Sequence, residues 1–120
     1  MIRRVPGQAP QVSGATRCGG FVATSGLVAP SALKGTPADF RTQTESVFEV
    51  LAETLDGLGA TVRDVMHLTA YLTDRAHAQE WNTLFAAQWP SEPPARTTVV
   101  QQLLPVYADI EISAVAWVES

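Results

Sequence analysis

Residues 95–117 constrain the fold more than any other stretch. Ala95-Arg96-Thr97-Thr98-Val99-Val100 and Asp109-Ile110-Glu111-Ile112-Ser113-Ala114-Val115-Ala116-Trp117 each alternate side chains with a period of two. Both are rich in β-branched residues, the pattern of β-strands. Successive strand side chains point to opposite faces, so Arg96, Thr98 and Val100 share one face of the first strand, and Glu111, Ser113 and Val115 one face of the second. Arg96 and Glu111 place full charges inside two largely apolar strands. Such charges are rare unless they are paired or used. Joined as a hairpin over 95–104 and 109–117, the two strands set Glu111 opposite position 101. Arg96 then lies about five residues, roughly 16 Å, further along the sheet. Within one chain the two charges are too far apart to grip one small molecule, which makes a site shared between copies attractive.

Upstream, Pro6, Gly7 and Pro10 restrict residues 1–11 to a short edge strand over 2–5. Gly19-Gly20 between two alternating runs, 15–18 and 21–24, is a hairpin signal. Thr36-Pro37-Ala38-Asp39 reads as a helix start, with Thr36 capping, Pro37 at the first helical position and Asp39 complementing the positive end. Phe40, Val47, Phe48, Leu51, Leu55 and Leu58 then form one apolar stripe of helical period, and Gly59 is the left-handed residue past its end. Gln43 is read as part of the solvated face. Val65-Met66-His67-Leu68-Thr69-Ala70-Tyr71-Leu72 is a strand apolar enough to be covered on both faces, and His67 is a hydrogen-bonded structural or interface histidine. Thr73-Asp74 caps a second helix over 75–88, with Trp81, Leu84 and Phe85 packing on the sheet. The order β, β, helix, strand, helix, β, β gives an α+β domain with both helices on one face of the sheet.

With 120 residues and 46% hydrophobic content, the chain has the material for one core, so residues 1–120 are expected to be a single domain. A net charge of −4 with no basic cluster beyond Arg3-Arg4 leaves no footprint for a phosphate backbone, so nucleic acid is not an expected partner. The single cysteine, Cys18, fits a reducing compartment and is read as a small strand hydrophobe. No run reaches the roughly 18 apolar residues of a membrane span. Arg3-Arg4 is followed by no apolar stretch, so no signal sequence or membrane partner is expected and the cytoplasm is the default.

Catalytic patterns are scarce. There is no Gly-x-Ser-x-Gly elbow, Ser25 has no pattern-defined histidine, and Cys18 has no polarising neighbour. His67 and His77 sit on different elements without carboxylates at metal-ligand spacing, so no metal is expected. By elimination, Arg96 and Glu111 are the reactive pair or there is none. An arginine offers a planar, permanently charged fork suited to a carboxylate. Glu111 in an apolar setting has a raised pKa and can exchange protons near neutrality.

The blocks Pro94-Ala95-Arg96-Thr97-Thr98-Val99, Leu103-Leu104-Pro105 and Ile110-Glu111-Ile112-Ser113-Ala114-Val115-Ala116, in order and at these gaps, resemble the end of the RidA/YjgF family of enamine/imine deaminases. The likeness covers residues 12–118 and is strongest after Pro94. It implies a chorismate-mutase-like fold with a mixed sheet, forming a homotrimer with the sheets inside and three clefts between subunits. In the family the residue matching Arg96 anchors a substrate carboxylate and the one matching Glu111 handles water. Thr24-Ser25-Gly26 and Asn82 match positions that line the cleft, and Gln43-Thr44 matches the first helix. Backbone groups at Ser25 and Gly26 and the hydroxyl of Thr98 stand as further partners for substrate or water. The implied activity is cofactor-independent hydrolysis of small 2-enamino or 2-imino acids to 2-oxo acids and ammonia. Two departures bear on the substrate: Val12 stands where many relatives carry a tyrosine, and Ser113 where many carry a second glutamate. The alternatives are a family enzyme recruited to a specialised pathway with a different substrate, and a trimer that binds metabolites or acts like a chaperone without turnover.

Overall fold

The computed structural model describes residues 1–119. One six-stranded mixed sheet runs β1-β2-β3-β6-β4-β5. Its strands are β1 (Arg3–Pro6), β2 (Ser13–Cys18), β3 (Phe21–Thr24), β4 (Val65–Leu72), β5 (Ala95–Val100) and β6 (Ile110–Trp117). Two long helices, α2 (Phe40–Asp56) and α3 (Ala78–Gln88), cover one face, and a single turn, α1 (Pro30–Leu33), precedes them. The α+β reading, with both long helices on one side, is what the structure shows.

The expected hairpin of residues 95–104 with 109–117 does not form. Instead β4 lies between the two strands, parallel to β5 and antiparallel to β6. The physical reason lies in β4 itself: a strand this apolar takes a partner along each edge, and α3 supplies the long crossover that a parallel β4–β5 pair needs. Residues 101–109 then carry the chain back across the sheet, so that β6 can pair with β3 on its other side. The expected edge strand near the N-terminus is β1, and the Gly19-Gly20 turn joins β2 to β3 with Cys18 opposite Phe21. Cys18 lies in a strand as expected but is exposed.

The core follows the alternation. Leu68, Ala70 and Leu72 of β4 and Ile110, Ile112, Ala114 and Ala116 of β6 point toward the helices and are buried against Val47, Leu51 and Leu55 of α2 and Trp81 of α3. Phe48, Trp81, Phe85 and Trp89 form an aromatic cluster with ring centroids 4.9–5.9 Å apart, which ties the two helices together. On the opposite face His67, Thr69, Tyr71, Glu111, Ser113 and Val115 are half-buried, so β4, expected to be covered on both faces, is covered on one only within a single chain. His67 Nε2 lies 3.3 Å from Thr97 Oγ1, in keeping with a hydrogen-bonded histidine.

Two details of α2 depart from the sequence reading. The N-cap is Asp39 and not Thr36: Asp39 Oδ1 accepts from Thr42 N at 2.8 Å, and Pro37 lies in the extended approach. Aspartate one residue before the first buried position, Phe40, is the stronger cap. Gln43 is also not solvated. It is 1% exposed, and its amide donates to Ala38 O, Tyr107 O and Asp109 Oδ2 while accepting from Asp109 N. A buried amide with every group paired becomes a clasp, here between the start of α2 and the segment entering β6. The far end matches expectation, with Gly59 left-handed at φ 75°.

Candidate functional site

The singled-out residues fall into two separate groups. The first gathers on the helix side of β5. Arg96 points toward α3, where Nη2 donates to Asn82 Oδ1 and the guanidinium carbon sits 4.7 Å from the centre of the Phe85 ring and 5.8 Å from that of Trp81. Both distances lie within reach of a cation–π contact. Thr98, two residues on and therefore on the same face, accepts from Trp81 Nε1 at 3.1 Å. The indole and phenyl rings orient the guanidinium, and the asparagine fixes one edge of it. The only ion pair among the described residues joins Arg41 to Glu45, so Arg96 has no carboxylate partner. It is also exposed, since β5 is an edge strand with nothing beyond it.

The second group gathers around Glu111 on the open face of β6. Gly26 packs so closely that a Cβ there would overlap Glu111 Oε2, a space only glycine leaves free. Ser25 is held beside it by its own backbone N–H to Gly14 O and by its hydroxyl donating to Ser13 O at 2.6 Å. These residues border a cleft of about 320 Å³ that also includes Gln8, Val12, Leu33 and Leu104. Burial pushes the Glu111 carboxyl above the ordinary glutamate value, with no charge or hydrogen bond opposing it. The raised pKa expected from an apolar setting is therefore present.

Within one chain these groups do not meet. Arg96 is level with Leu68 of β4 and Glu111 with Tyr71, three positions further along. Three residue rises and two strand spacings separate their Cα atoms by roughly 14 Å. The side chains also leave opposite faces, because Leu68 points to the helices and Tyr71 away from them. The separation read from the sequence persists, but its cause is the intervening β4 and not a hairpin register.

A family model described as Endoribonuclease L-PSP matches residues 2–118. The chain belongs to the RidA/YjgF family. A RutC family protein of Pyrococcus horikoshii is 30% identical over 109 residues, covering 89% of this chain and 86% of its own. The chloroplastic Reactive Intermediate Deaminase A of Arabidopsis thaliana is 30% identical over 115 residues, covering 94% of this chain and 62% of its own. Among solved structures, RidA from the Antarctic bacterium Psychrobacter sp. PAMC 21119 superposes with a TM-score of 0.85 at 26% identity, covering 96% of this chain and 94% of the other. A Mycobacterium tuberculosis member of the YjgF/YER057c/UK114 family gives 0.87 at 23% identity, over 98% and 100%. The fold is accordingly the chorismate-mutase-like one of RidA/YjgF proteins.

Several residues bordering these two groups were not evident in the sequence. Gln43 and Asp109 anchor the segment that leads into Glu111, with Thr73 Oγ1 3.4 Å from Asp109 Oδ1. A signal existed: Gln43 fills the gap of seven between Phe40 and Val47 in the stripe of α2, where a buried residue belongs. Gln8 had no such signal. Its amide clasps the backbone of Val28, donating to the carbonyl at 2.7 Å and accepting from the N–H at 3.0 Å. No helix of the described residues is long and apolar enough to cross a membrane.

Proposed function

We propose that the protein hydrolyses small 2-enamino or 2-imino acids to 2-oxo acids and ammonia, in clefts where one subunit contributes Arg96 and its neighbour Glu111. The observation that carries the reading is Glu111: a carboxylate in a cleft, above its ordinary pKa through burial alone, over a glycine that leaves it room. Arg96, oriented by Asn82 and two aromatic rings yet without a counter-ion, has an open fork for a substrate carboxylate. A homotrimer with the sheets inside brings the edge strand β5 of one copy against the open face of another. It also covers half-buried His67, Thr69 and Tyr71.

The chemistry needs no cofactor, because the imine carbon is already electrophilic. Arg96 holds the carboxylate and draws charge from C2, and an enamine first takes a proton at C3 and gives one up from nitrogen to become the imine. Glu111 accepts a proton from water as its oxygen bonds to C2, and the C=N bond becomes C–N. That proton passes to nitrogen to give the carbinolamine, and the hydroxyl proton follows it through Glu111 as the C–N bond breaks, so that ammonia leaves and the oxygen closes to a ketone. The Gly26 backbone and the Thr98 hydroxyl are available to the water or the substrate, whereas the Ser25 N–H and hydroxyl are committed to Gly14 O and Ser13 O.

The test supplies 2-aminoacrylate from serine through a dehydratase and follows loss of the transient species. The protein accelerates that loss, and Glu111→Gln reduces kcat/KM by at least a hundredfold. Arg96→Ala does the same, and Arg96→Lys restores little because an ammonium lacks the fork. Acceleration untouched by either change removes both residues from the site. Tight carboxylate binding without acceleration favours a metabolite-binding trimer.

A further inference from the structure

Gln43 and Thr44 are the buried polar side chains among the described residues. Thr44 stays within its own helix, its hydroxyl donating to Phe40 O at 2.8 Å. Gln43 instead reaches across the chain: it accepts from Asp109 N at 2.8 Å and donates to Tyr107 O and Asp109 Oδ2, each at 3.1 Å. A leucine or methionine would fill that place in the apolar stripe of α2 with no polar group to satisfy. An amide, unlike them, can grip a backbone N–H and a C=O at once. What Gln43 grips is the entry to β6. Asp109 O accepts from Thr73 N at 3.1 Å and Asp109 Oδ1 lies 3.4 Å from Thr73 Oγ1, so the same residue is tied to the end of β4 as well. Glu111 comes two positions later, the second residue of β6. Ahead of Asp109 runs a loop with Leu104 and Val106 largely in water, fixed at its far end by Gln101 N donating to Leu72 O at 2.9 Å. Strand ends open more readily than strand centres. The grip on Asp109 therefore decides whether Glu111 moves with the sheet or with the loop.

We propose that Gln43 is a positioning residue for Glu111: by holding Asp109 it fixes the start of β6, and with it the carboxylate beside Gly26, without touching the substrate. The proposal rests on the hydrolytic reading above and adds the group that keeps its proton acceptor in place. Leu104 and Pro105 line the cleft next to Glu111, and the clasp on Tyr107 O keeps them from lifting away. Releasing the clasp lets water reach the carboxylate. Tyr71 of β4 stands opposite Glu111 in register and no other charged residue lines the cleft, so burial alone holds its pKa up. With water admitted, that pKa falls toward the ordinary value. A base works only when deprotonated, so the acidic limb of the rate profile then moves to lower pH. Arg96 is oriented by Asn82 and Phe85, and its contacts do not involve Gln43.

Gln43→Met keeps the volume and removes the clasp. With the imino acid supplied by an amino-acid oxidase acting on alanine, we expect kcat to fall by about tenfold or more, the effect of a base displaced by a fraction of an ångström. Pyruvate, the carboxylate product, binds with the affinity of the parent, and the acidic limb of the kcat profile moves to lower pH. Asp109→Ala, which leaves the backbone bonds of Gln43 intact, acts in the same direction and by less. Thr44→Val is the control: it removes a buried hydrogen bond internal to α2, lowers the urea midpoint, and leaves kcat and its pH profile unchanged. Unchanged kcat in a folded Gln43→Met overturns the assignment, and so does a loss matched in pyruvate affinity or reproduced by Thr44→Val. Should Gln43→Met not fold, Asp109→Ala decides alone: a lower kcat at parental pyruvate affinity supports the assignment, and an unchanged kcat overturns it. Acceleration abolished by Glu111→Gln but untouched by Gln43→Met overturns the positioning role while the hydrolytic reading stands. No acceleration by the parent protein overturns both together.

Discussion

Arg96 and Glu111 sit in opposite kinds of place. Arg96 lies on the outermost strand, exposed, held from the side by Asn82 and from below by Phe85 and Trp81. Glu111 lies on a strand with neighbours along both edges, half-buried, held by the backbone pairing of β6 and by the close approach of Gly26. The difference matches what the proposed reaction asks of each group. A guanidinium is charged whatever surrounds it, so it needs orientation and no burial. A carboxylate becomes a useful proton acceptor near neutrality only when burial raises its pKa, so it needs a cleft. The exposed half is unfinished in one chain: a lone cation in water binds an anion weakly, and a neighbouring surface that excludes water strengthens the contact.

The sharpest way to break this division is to separate the two halves onto different chains. Arg96→Ala and Glu111→Gln, each inactive alone, are mixed under conditions that let subunits exchange. If each cleft draws its arginine from one copy and its glutamate from the next, random assembly restores both in roughly a quarter of the clefts, and activity returns to about that fraction. A site built within one chain gives no recovery at any mixing ratio. Such a result, obtained with subunit exchange confirmed by mass, defeats the shared cleft while leaving each residue's role open.

A smaller effect is expected when only the room around Glu111 is changed. In Gly26→Ala the new methyl overlaps Oε2 and stands 2.8 Å from the carboxyl carbon. The side chain must swing out of the cleft by about 1 Å or more, and a displacement of that size costs on the order of a hundredfold in kcat. The Arg96 half is untouched, so carboxylate product should bind Gly26→Ala with the affinity of the parent. Loss of product affinity equal to the loss of kcat would mean that the two halves do not act separately.

How much of this was legible in the sequence depends on the range of the interaction concerned. Most local signals held, the cap expected at Thr36 being the exception. The Gly19-Gly20 turn, the stripe of α2, the left-handed Gly59 and the apolar run of β4 each depend on neighbours a few residues away, and each appears where the pattern put it. Strand order was not legible. Period-two alternation identifies β5 and β6 as strands but carries nothing about which strand lies beside which, and β4 came between them. The stripe of α2 marked Gln43 as buried, but its partners were hidden for the same reason: Tyr107 and Asp109 are more than sixty positions away. Arg96 and Glu111 stood out as charges among apolar neighbours, which singles out a residue without telling how its group is exposed. Arg96 proved open and Glu111 half-buried.

The mildest test concerns stability. Burial raises the pKa of Glu111 in the folded chain above its value in the unfolded chain. Between those two values the folded state holds more proton than the unfolded state, so stability falls as pH rises through that window, and the whole penalty is present above it. Glu111→Gln has no charge to desolvate. The variant is therefore expected to be more stable than the parent at neutral pH, with the difference fading below pH ~4, where the parent is protonated in both states. The gain is a fraction of a kcal/mol because the carboxylate still reaches water. Urea unfolding of both proteins across this range measures it. A gap that does not depend on pH would mean that the cleft does not desolvate the carboxylate, and the contrast with the exposed guanidinium of β5 would lose its physical basis.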